Sequence, residues 1–269
     1  MRTALTIAGS DSGAGAGIQA DLKTFAAYGV YGTSAITAVT AQNTLGVTAW
    51  EPVSTELVIA QIEAVGGDLP PGAVKTGMLA TAAIVEAVAA AIASLDLPNL
   101  VVDPVMIAKG GARLLREDAV AAVRTELLKL ADVATPNIPE AEVLAGFSIR
   151  TLDDMRAAAR RIRALGPRVV VVKGGHLAIE RSGDLGGDDV VDVVCTPDGE
   201  FDLRGPRLET RHTHGTGCTF AAAIAAGLAL GHPVDEALRS ARAYLEGAIR
   251  HAPHLGRGHG PLNHFWRLY

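Results

Sequence analysis

TALTIAGSDSGAGAGIQADLKTFAAYGVYGTSAITAV, residues 3–39, is the stretch on which the fold turns. Residues 3–8 are apolar and rich in β-branched side chains, which predicts a strand. A run of glycines from Gly9 to Gly17 follows, then residues 17–28 with helical spacing, then a second apolar run at 34–39. Strand, loop, helix and strand make a βαβ unit, and its crossover sets the two strands parallel. The alternation continues outward. Strands are predicted at 73–75, 100–102, 133–135 and 169–172, and helices at 55–65, 82–95, 116–130, 139–145 and 152–165. The expectation is an α/β fold, a doubly wound and mostly parallel sheet with helices on both faces. Residues 189–195 and 200–203 flank a Thr196-Pro197-Asp198-Gly199 turn, as in an antiparallel hairpin at the sheet edge. Two helices, 219–230 and 234–251, close the chain. With no Ser/Gly/Pro linker and no repeat of fixed period, residues 1–269 read as one domain.

Composition narrows the function. Of 269 residues 49% are hydrophobic, enough for a sizeable core, so a disordered chain is excluded. The net charge of −5 and the lack of a basic cluster with interleaved aromatics argue against a nucleic-acid partner. The only cysteines, Cys195 and Cys218, are far apart and lack CxxC spacing, so neither disulfides nor a zinc knuckle is expected. No segment has the ~18 consecutive apolar residues of a membrane span, and the N-terminal apolar run is too short for a signal peptide. A cytoplasmic location is expected, with no membrane partner.

Ligands of open α/β sheets bind beyond the carboxyl ends of the strands. There the chain has the Gly9–Gly17 loop, Gln42-Asn43, Thr76-Gly77-Met78, Asp103-Pro104-Val105-Met106, Pro136-Asn137-Ile138-Pro139-Glu140 and Lys173-Gly174-Gly175-His176. Turns use such residues too, so their convergence on one edge carries the functional reading rather than any one of them. A further loop, Gly215-Thr216-Gly217-Cys218, precedes an alanine-rich helix. Helix N-termini offer unpaired amides and a positive dipole end, so the place suits an anion. A thiol there is expected to ionise readily, which makes Cys218 a candidate base or nucleophile; the other reading is a small cysteine packed under a tight turn.

Several chemistries drop out. Residues 15–20 fit the relaxed dinucleotide fingerprint GxGxxA, but the acid needed at the end of the second strand is missing. Neither GxxxxGK[ST] nor GxSxG occurs. His251, His254, His259 and His264 match no zinc spacing and read as a polar C-terminal tail. What remains is an anion loop with Asp103, Glu140 and Lys173 on the same edge: acids for magnesium, a lysine for phosphate charge and amides for a migrating phosphoryl group.

The segments AGSDSGAGAGIQADLKTF, TAVTAQNTLGV, KTGML, VDPVMIAKGG, TPNIPEAE, VVKGGH and HGTGC, with GHGPLNHFW near the end, resemble the hydroxymethylpyrimidine/phosphomethylpyrimidine kinases of thiamine biosynthesis, a branch of the ribokinase-like superfamily. The resemblance implies a ribokinase-like sheet with a small β lid, to which residues 47–50 would contribute. It also implies ATP and Mg2+ as cofactors, a small-molecule pyrimidine substrate and a homodimer. Gln42 would pair with the aminopyrimidine edge, and Gly9, Ala16, Asp21, Met78 and Val105 would line the pyrimidine pocket. Glu140 would stand in the magnesium hydration shell, with Asp103 ordering magnesium and phosphates. Lys173 and Asn137 would bind the nucleotide, with Lys173 approaching the ATP phosphates. Gly215, Thr216, Gly217 and Cys218 would form the anion hole, with Cys218 in the slot where most of the superfamily has an aspartate base. On that reading, loss of the thiol lowers kcat by roughly 10²–10³. Two residues depart from the family pattern: Ala14 stands where glycine is common, and His212 replaces an asparagine expected near the nucleotide.

Three alternatives stand beside this reading. A pyridoxine/pyridoxal kinase of the same fold would also phosphorylate a hydroxymethyl arm on a planar ring. A cysteine-nucleophile acyl-transfer enzyme would need His214 as its base and would leave Asp103, Glu140 and Lys173 unexplained. A catalytically silent binding protein would release no ADP.

Overall fold

The computed structural model describes residues 1–106, 117–176 and 189–268. Residues 107–111 of the VDPVMIAKGG segment, and residue 116, where a helix was expected to begin, lie outside the described residues. One nine-stranded sheet runs through the molecule in the order β3-β2-β1-β4-β5-β6-β7-β8-β9. Its strands are β1 (Thr3–Asp11), β2 (Tyr31–Asn43), β3 (Gly46–Pro52), β4 (Ala73–Thr76), β5 (Leu100–Val102), β6 (Val133–Ala134), β7 (Val169–Val172), β8 (Asp189–Thr196) and β9 (Gly199–Pro206). From β2 through β1, β4, β5 and β6 to β7 the pairing is parallel; β3, β8 and β9 add antiparallel edges. The chain leaves β1 for β2 on one side and then crosses to β4 on the other. That reversal opens a crevice at the carboxyl end of β1.

Helices α1 (Gly17–Ala27), α7 (Thr216–Ala229) and α8 (Val234–Arg250) cover one face. The other carries α2 (Thr55–Asp68), α3 (Ala82–Ser94), α4 (Glu117–Ala122), α5 (Ile138–Ala145) and α6 (Leu152–Arg163). Valine and leucine from the central strands fill both interfaces, as a sheet buried on two sides requires. In α7 every residue from Thr219 to Ala229 is buried, so the helix is a small-residue wedge against α1 and α8. Among the described residues no helix is long and apolar enough to cross a membrane.

Several boundaries differ from expectation. β1 runs on to Asp11 after a register shift between Ala8 and Ser10, which leaves Gly9 in a bulge. β2 begins at Tyr31 and ends at Asn43, so Gln42 and Asn43 lie inside the strand rather than after it. Pairing with β3, the hairpin expected to serve as a lid, holds that end extended although its threonines and alanines carry no apolar alternation. The helix expected over 116–130 is α4, then a π turn at Val123–Leu127 and a 3₁₀ turn at Leu128–Leu130. There the Thr125 hydroxyl bonds back to the Ala121 carbonyl and competes for the ladder.

The histidine-rich C-terminal segment is packed, not a loose polar tail. His264 is buried with its ring nitrogen 3.0 Å from Thr219 Oγ1, and its carbonyl accepts from Tyr244 Oη. Trp266 stacks on His251 and donates its indole N–H to the Tyr244 carbonyl. These aromatic anchors bind the segment to α8. Gly260 O then accepts the His214 amide, which ties the segment to the loop before α7.

Candidate active site

A cavity of about 1080 Å³ lies in the crevice at the carboxyl ends of the strands. Gly9, Ala16, Gln42, Met78 and Val105 line one part of it. Asp103, Asn137, Glu140, Lys173 and the run Gly215, Thr216, Gly217 and Cys218 line the rest. Two of the residues singled out in the sequence do not line it. Asp21 is fully buried and does not line the cavity, because it is held behind Lys75. His212 is also buried and off the cavity, with its ring edge-on to His254 at 4.5 Å between centroids.

The first glycine loop is organised by Asp11 at the end of β1. Its Oδ1 accepts from Gly13 N at 2.8 Å, and its Oδ2 accepts from Gly15 N at 3.0 Å and Ala16 N at 2.8 Å. His214 Nε2 stands 2.8 Å from the same Oδ2. Burial works against the Asp11 charge, but His214 and the amides outweigh it and hold the carboxyl below the ordinary aspartate value. Ala14, where glycine was expected, adopts φ +59, a left-handed conformation that costs an L residue roughly 1–2 kcal/mol.

The second loop is shorter than expected. Helix α7 starts at Thr216, so Gly217 and Cys218 belong to its first turn. Glycine's poor helix propensity hides that start from a sequence reading. Gly215 precedes the helix at φ +86, and no side chain caps it. A β-carbon on Gly215 would lie 1.8 Å from Gly15 O, so the two glycine loops pass backbone to backbone. Gly217 is constrained too: a β-carbon there would lie 3.3 Å from Lys173 Nζ and 3.5 Å from Asp103 Oδ2.

Cys218 overturns the expectation of a readily ionised thiol. Burial pushes it up to about 11, and the Lys75 ammonium offsets only part of that. Desolvation of a thiolate outweighs the helix terminus here, so the thiol is protonated near neutral pH.

On the far side, Lys173 Nζ donates to Asp103 Oδ1 at 2.9 Å, and Thr135 Oγ1 donates to the same oxygen at 3.3 Å. Burial opposes the Lys173 charge, yet Asp103 and Glu140 raise its pKa above the usual lysine value. Asn137 and Glu140 form a reciprocal cap at the start of α5: Asn137 N donates to Glu140 Oε2 at 2.8 Å, and Glu140 N donates to Asn137 Oδ1 at 3.0 Å. Burial pushes the Glu140 carboxyl up to about 7 against the pull of Lys173. Among the described residues no three His, Cys, Asp or Glu side chains gather closely enough to hold a metal by themselves.

Sequence reading missed a fully buried ion pair. Lys75 Nζ donates to Asp21 Oδ2 at 2.8 Å and Thr6 Oγ1 donates to the same oxygen at 2.6 Å, while Asp21 Oδ1 has no partner. Burial disfavours the ammonium, but Asp21 outweighs it and raises the Lys75 pKa. Lys75 lines the cavity, so it presents a fixed positive charge to the space beside Cys218. The signal was a lysine inside a strand of the central sheet, a position that is tenable only with a partner.

Comparison with known proteins fits this geometry. The phosphomethylpyrimidine kinase family model matches residues 11–263. The hydroxymethylpyrimidine/phosphomethylpyrimidine kinase of Haemophilus influenzae is 50% identical over 266 residues, covering 98% of this chain and 97% of that protein. Among solved structures, the phosphomethylpyrimidine kinase of Clostridium difficile has a TM-score of 0.81 at 42% identity, over 93% of this chain and 100% of that one. An ADP complex of Bacillus subtilis pyridoxal kinase has a TM-score of 0.89 at 39% identity over 100% of both chains.

Proposed function

The chain belongs to the phosphomethylpyrimidine kinase family, and on that premise we propose that it transfers a phosphoryl group from ATP to the hydroxymethyl oxygen of 4-amino-5-hydroxymethyl-2-methylpyrimidine. In the same site it phosphorylates the resulting monophosphate to the diphosphate, as a step of thiamine biosynthesis. The observation that carries this is the uncapped start of α7 opening into the same cavity as Gln42 and Lys173.

Gln42, with Gly9, Ala16, Met78 and Val105, holds the ring. Lys173 and Asn137 face the nucleotide phosphates. The amides of Gly215, Thr216, Gly217 and Cys218 receive the charge that spreads over the transferred group. A loose phosphoryl-transfer transition state asks little of a base, and a protonated thiol cannot act as one. Cys218 therefore positions the hydroxymethyl oxygen, and Lys75 supplies positive charge beneath it. Glu140 and Asp103 are hard oxygen donors that suit magnesium, which takes one or two carboxylates and completes its shell with phosphates and water. Asp103 is already paired with Lys173, and Glu140 would offer its charge to the metal once it gives up its proton. Magnesium held there with the nucleotide would neutralise phosphate charge. A cytoplasmic homodimer completes the reading, and sedimentation of the purified protein tests the dimer.

ADP release is the direct test, with magnesium and ATP and either pyrimidine, pyridoxine, or no acceptor. Release with both pyrimidines and little with pyridoxine is the expected result. The likeness to a pyridoxal kinase supports one other reading, and turnover of pyridoxine alone would keep the fold and replace the substrate.

A further inference from the structure

We propose that His214 orients the side-chain amide of Gln42 and so fixes which way round a substrate ring lies in the cavity. This rests on the reading of the site as an aminopyrimidine kinase.

The argument is a count of hydrogens. Asp11 Oδ2 accepts from Gly15 N and Ala16 N and lies 2.8 Å from His214 Nε2. A carboxylate only accepts, so Nε2 carries a hydrogen in the neutral ring and in the imidazolium alike. Gln42 stands with its Nε2 only 3.2 Å from that same nitrogen, which sets two donors against each other. At the other end of the amide, Gln42 Oε1 is 3.3 Å from Thr40 Oγ1, whose single hydrogen goes to Ser10 O at 2.9 Å. A half turn of the amide removes both conflicts. Oε1 then accepts from His214 Nε2–H, shared with Asp11, and Nε2 donates to Thr40 Oγ1.

One lone pair on Oε1 and one hydrogen on Nε2 are left for a ligand. Their complement is a ring nitrogen beside an exocyclic amino group: the ring nitrogen accepts from Nε2 and the amino group donates to Oε1. In 4-amino-5-hydroxymethyl-2-methylpyrimidine the hydroxymethyl arm adjoins the amino group on the side away from that nitrogen. The arm therefore falls on the Oε1 side, toward His214, whose next residue is Gly215 at the mouth of the anion loop. With the amide the other way round the ring must invert, and its arm points toward Thr40, away from Cys218. A pyridine ring with no amino group beside its nitrogen meets only half of this pattern. His214 is thus a positioning residue that acts through Gln42.

A double-mutant cycle tests the assignment, using His214→Phe, Gln42→Ala and the pair, with KM for the aminopyrimidine read at saturating magnesium and ATP. Each single change is expected to raise that KM by about tenfold, the scale of one lost buried hydrogen bond, and to leave KM for ATP within about twofold. The pair is expected to match Gln42→Ala alone, because His214 has nothing to orient once the amide is gone. Thr40→Val, which keeps the side chain's shape, is expected to raise KM in the same direction by a smaller factor, and again only when Gln42 is present. Multiplicative effects in the pair, or an unchanged KM in both His214→Phe and Thr40→Val, would overturn the role of His214. No ADP release by the unaltered protein with either pyrimidine would instead overturn the reading on which it rests.

Discussion

The two glycine loops share a composition and a place at the start of a helix, yet they have opposite electrostatic characters. In the first, Asp11 takes up the amides of Gly13, Gly15 and Ala16, so a carboxylate of the protein sits where a phosphate would otherwise go. In the second, no side chain caps α7 and no acidic residue stands in its first turn. The first loop is closed to anions and the second is open to them. Glycine supplies close approach in both, and one carboxylate decides what may approach. A glycine pattern therefore identifies an anion site only after the acids around it have been counted.

The most damaging way to break the comparison is Gly215→Ala. The added carbon meets Gly15 O at 1.8 Å on a residue at φ +86, so the loops must separate. The expected loss in kcat is about 10²–10³, comparable to removal of an oxyanion donor, and steady-state ADP release checks it.

Asp11→Asn tests the closed loop. Replacing a charged acceptor of three amides is expected to lower unfolding stability by about 2 kcal/mol, measured by denaturant titration. Because Asp11 has a depressed pKa in the folded protein, its contribution is present above the unfolded value and is lost as pH falls through the folded one. The gap between variant and parent should thus narrow in acid.

Cys218→Ala sharpens the description of the open loop. With the thiol pushed up to about 11, a positioning role predicts a fall in kcat of about tenfold, whereas loss of a general base would cost at least about a hundredfold. Iodoacetamide labelling of Cys218 should be slow at pH 7 and should accelerate toward pH 11.

The smallest effect concerns Glu140, which burial places near 7. Nucleotide-bound magnesium and a proton compete for this carboxylate, so KM for the magnesium nucleotide should rise as pH falls from 8 to 6. Glu140→Gln should flatten that profile. The same raised pKa makes Glu140 favour the folded state less as pH increases from about 4.5 to 7, since the folded protein holds the proton longer.

How legible all this was varies with the range of the interaction responsible. The βα alternation, both glycine loops and the acids and lysine beyond the strands stand out in the sequence because short-range pattern determines them. Lys75 and Asp21 did not, for their pairing joins residues 54 apart and depends on β1 lying between β2 and β4. The Asp11 hub was hidden for the same reason: its partner His214 lies 203 residues away. The charge state of Cys218 was misjudged because a helix terminus is visible in sequence, whereas the desolvation that outweighs it belongs to the folded cavity. The packed C-terminal segment was read by its histidines and not by Leu262 and Trp266, which anchor it.

The contact between Gly15 and Gly215 is made by backbone alone, so it offers evolution nothing to resize. A change of substrate fits more readily on the ring side, where Met78, Val105 and Gln42 line the cavity and can be exchanged one at a time. At the contact between the two loops there is no side chain to exchange, and a β-carbon on Gly215 would meet Gly15 O. The fold thus sets a contact that tolerates no added atom beside a pocket wall that can be recut one residue at a time.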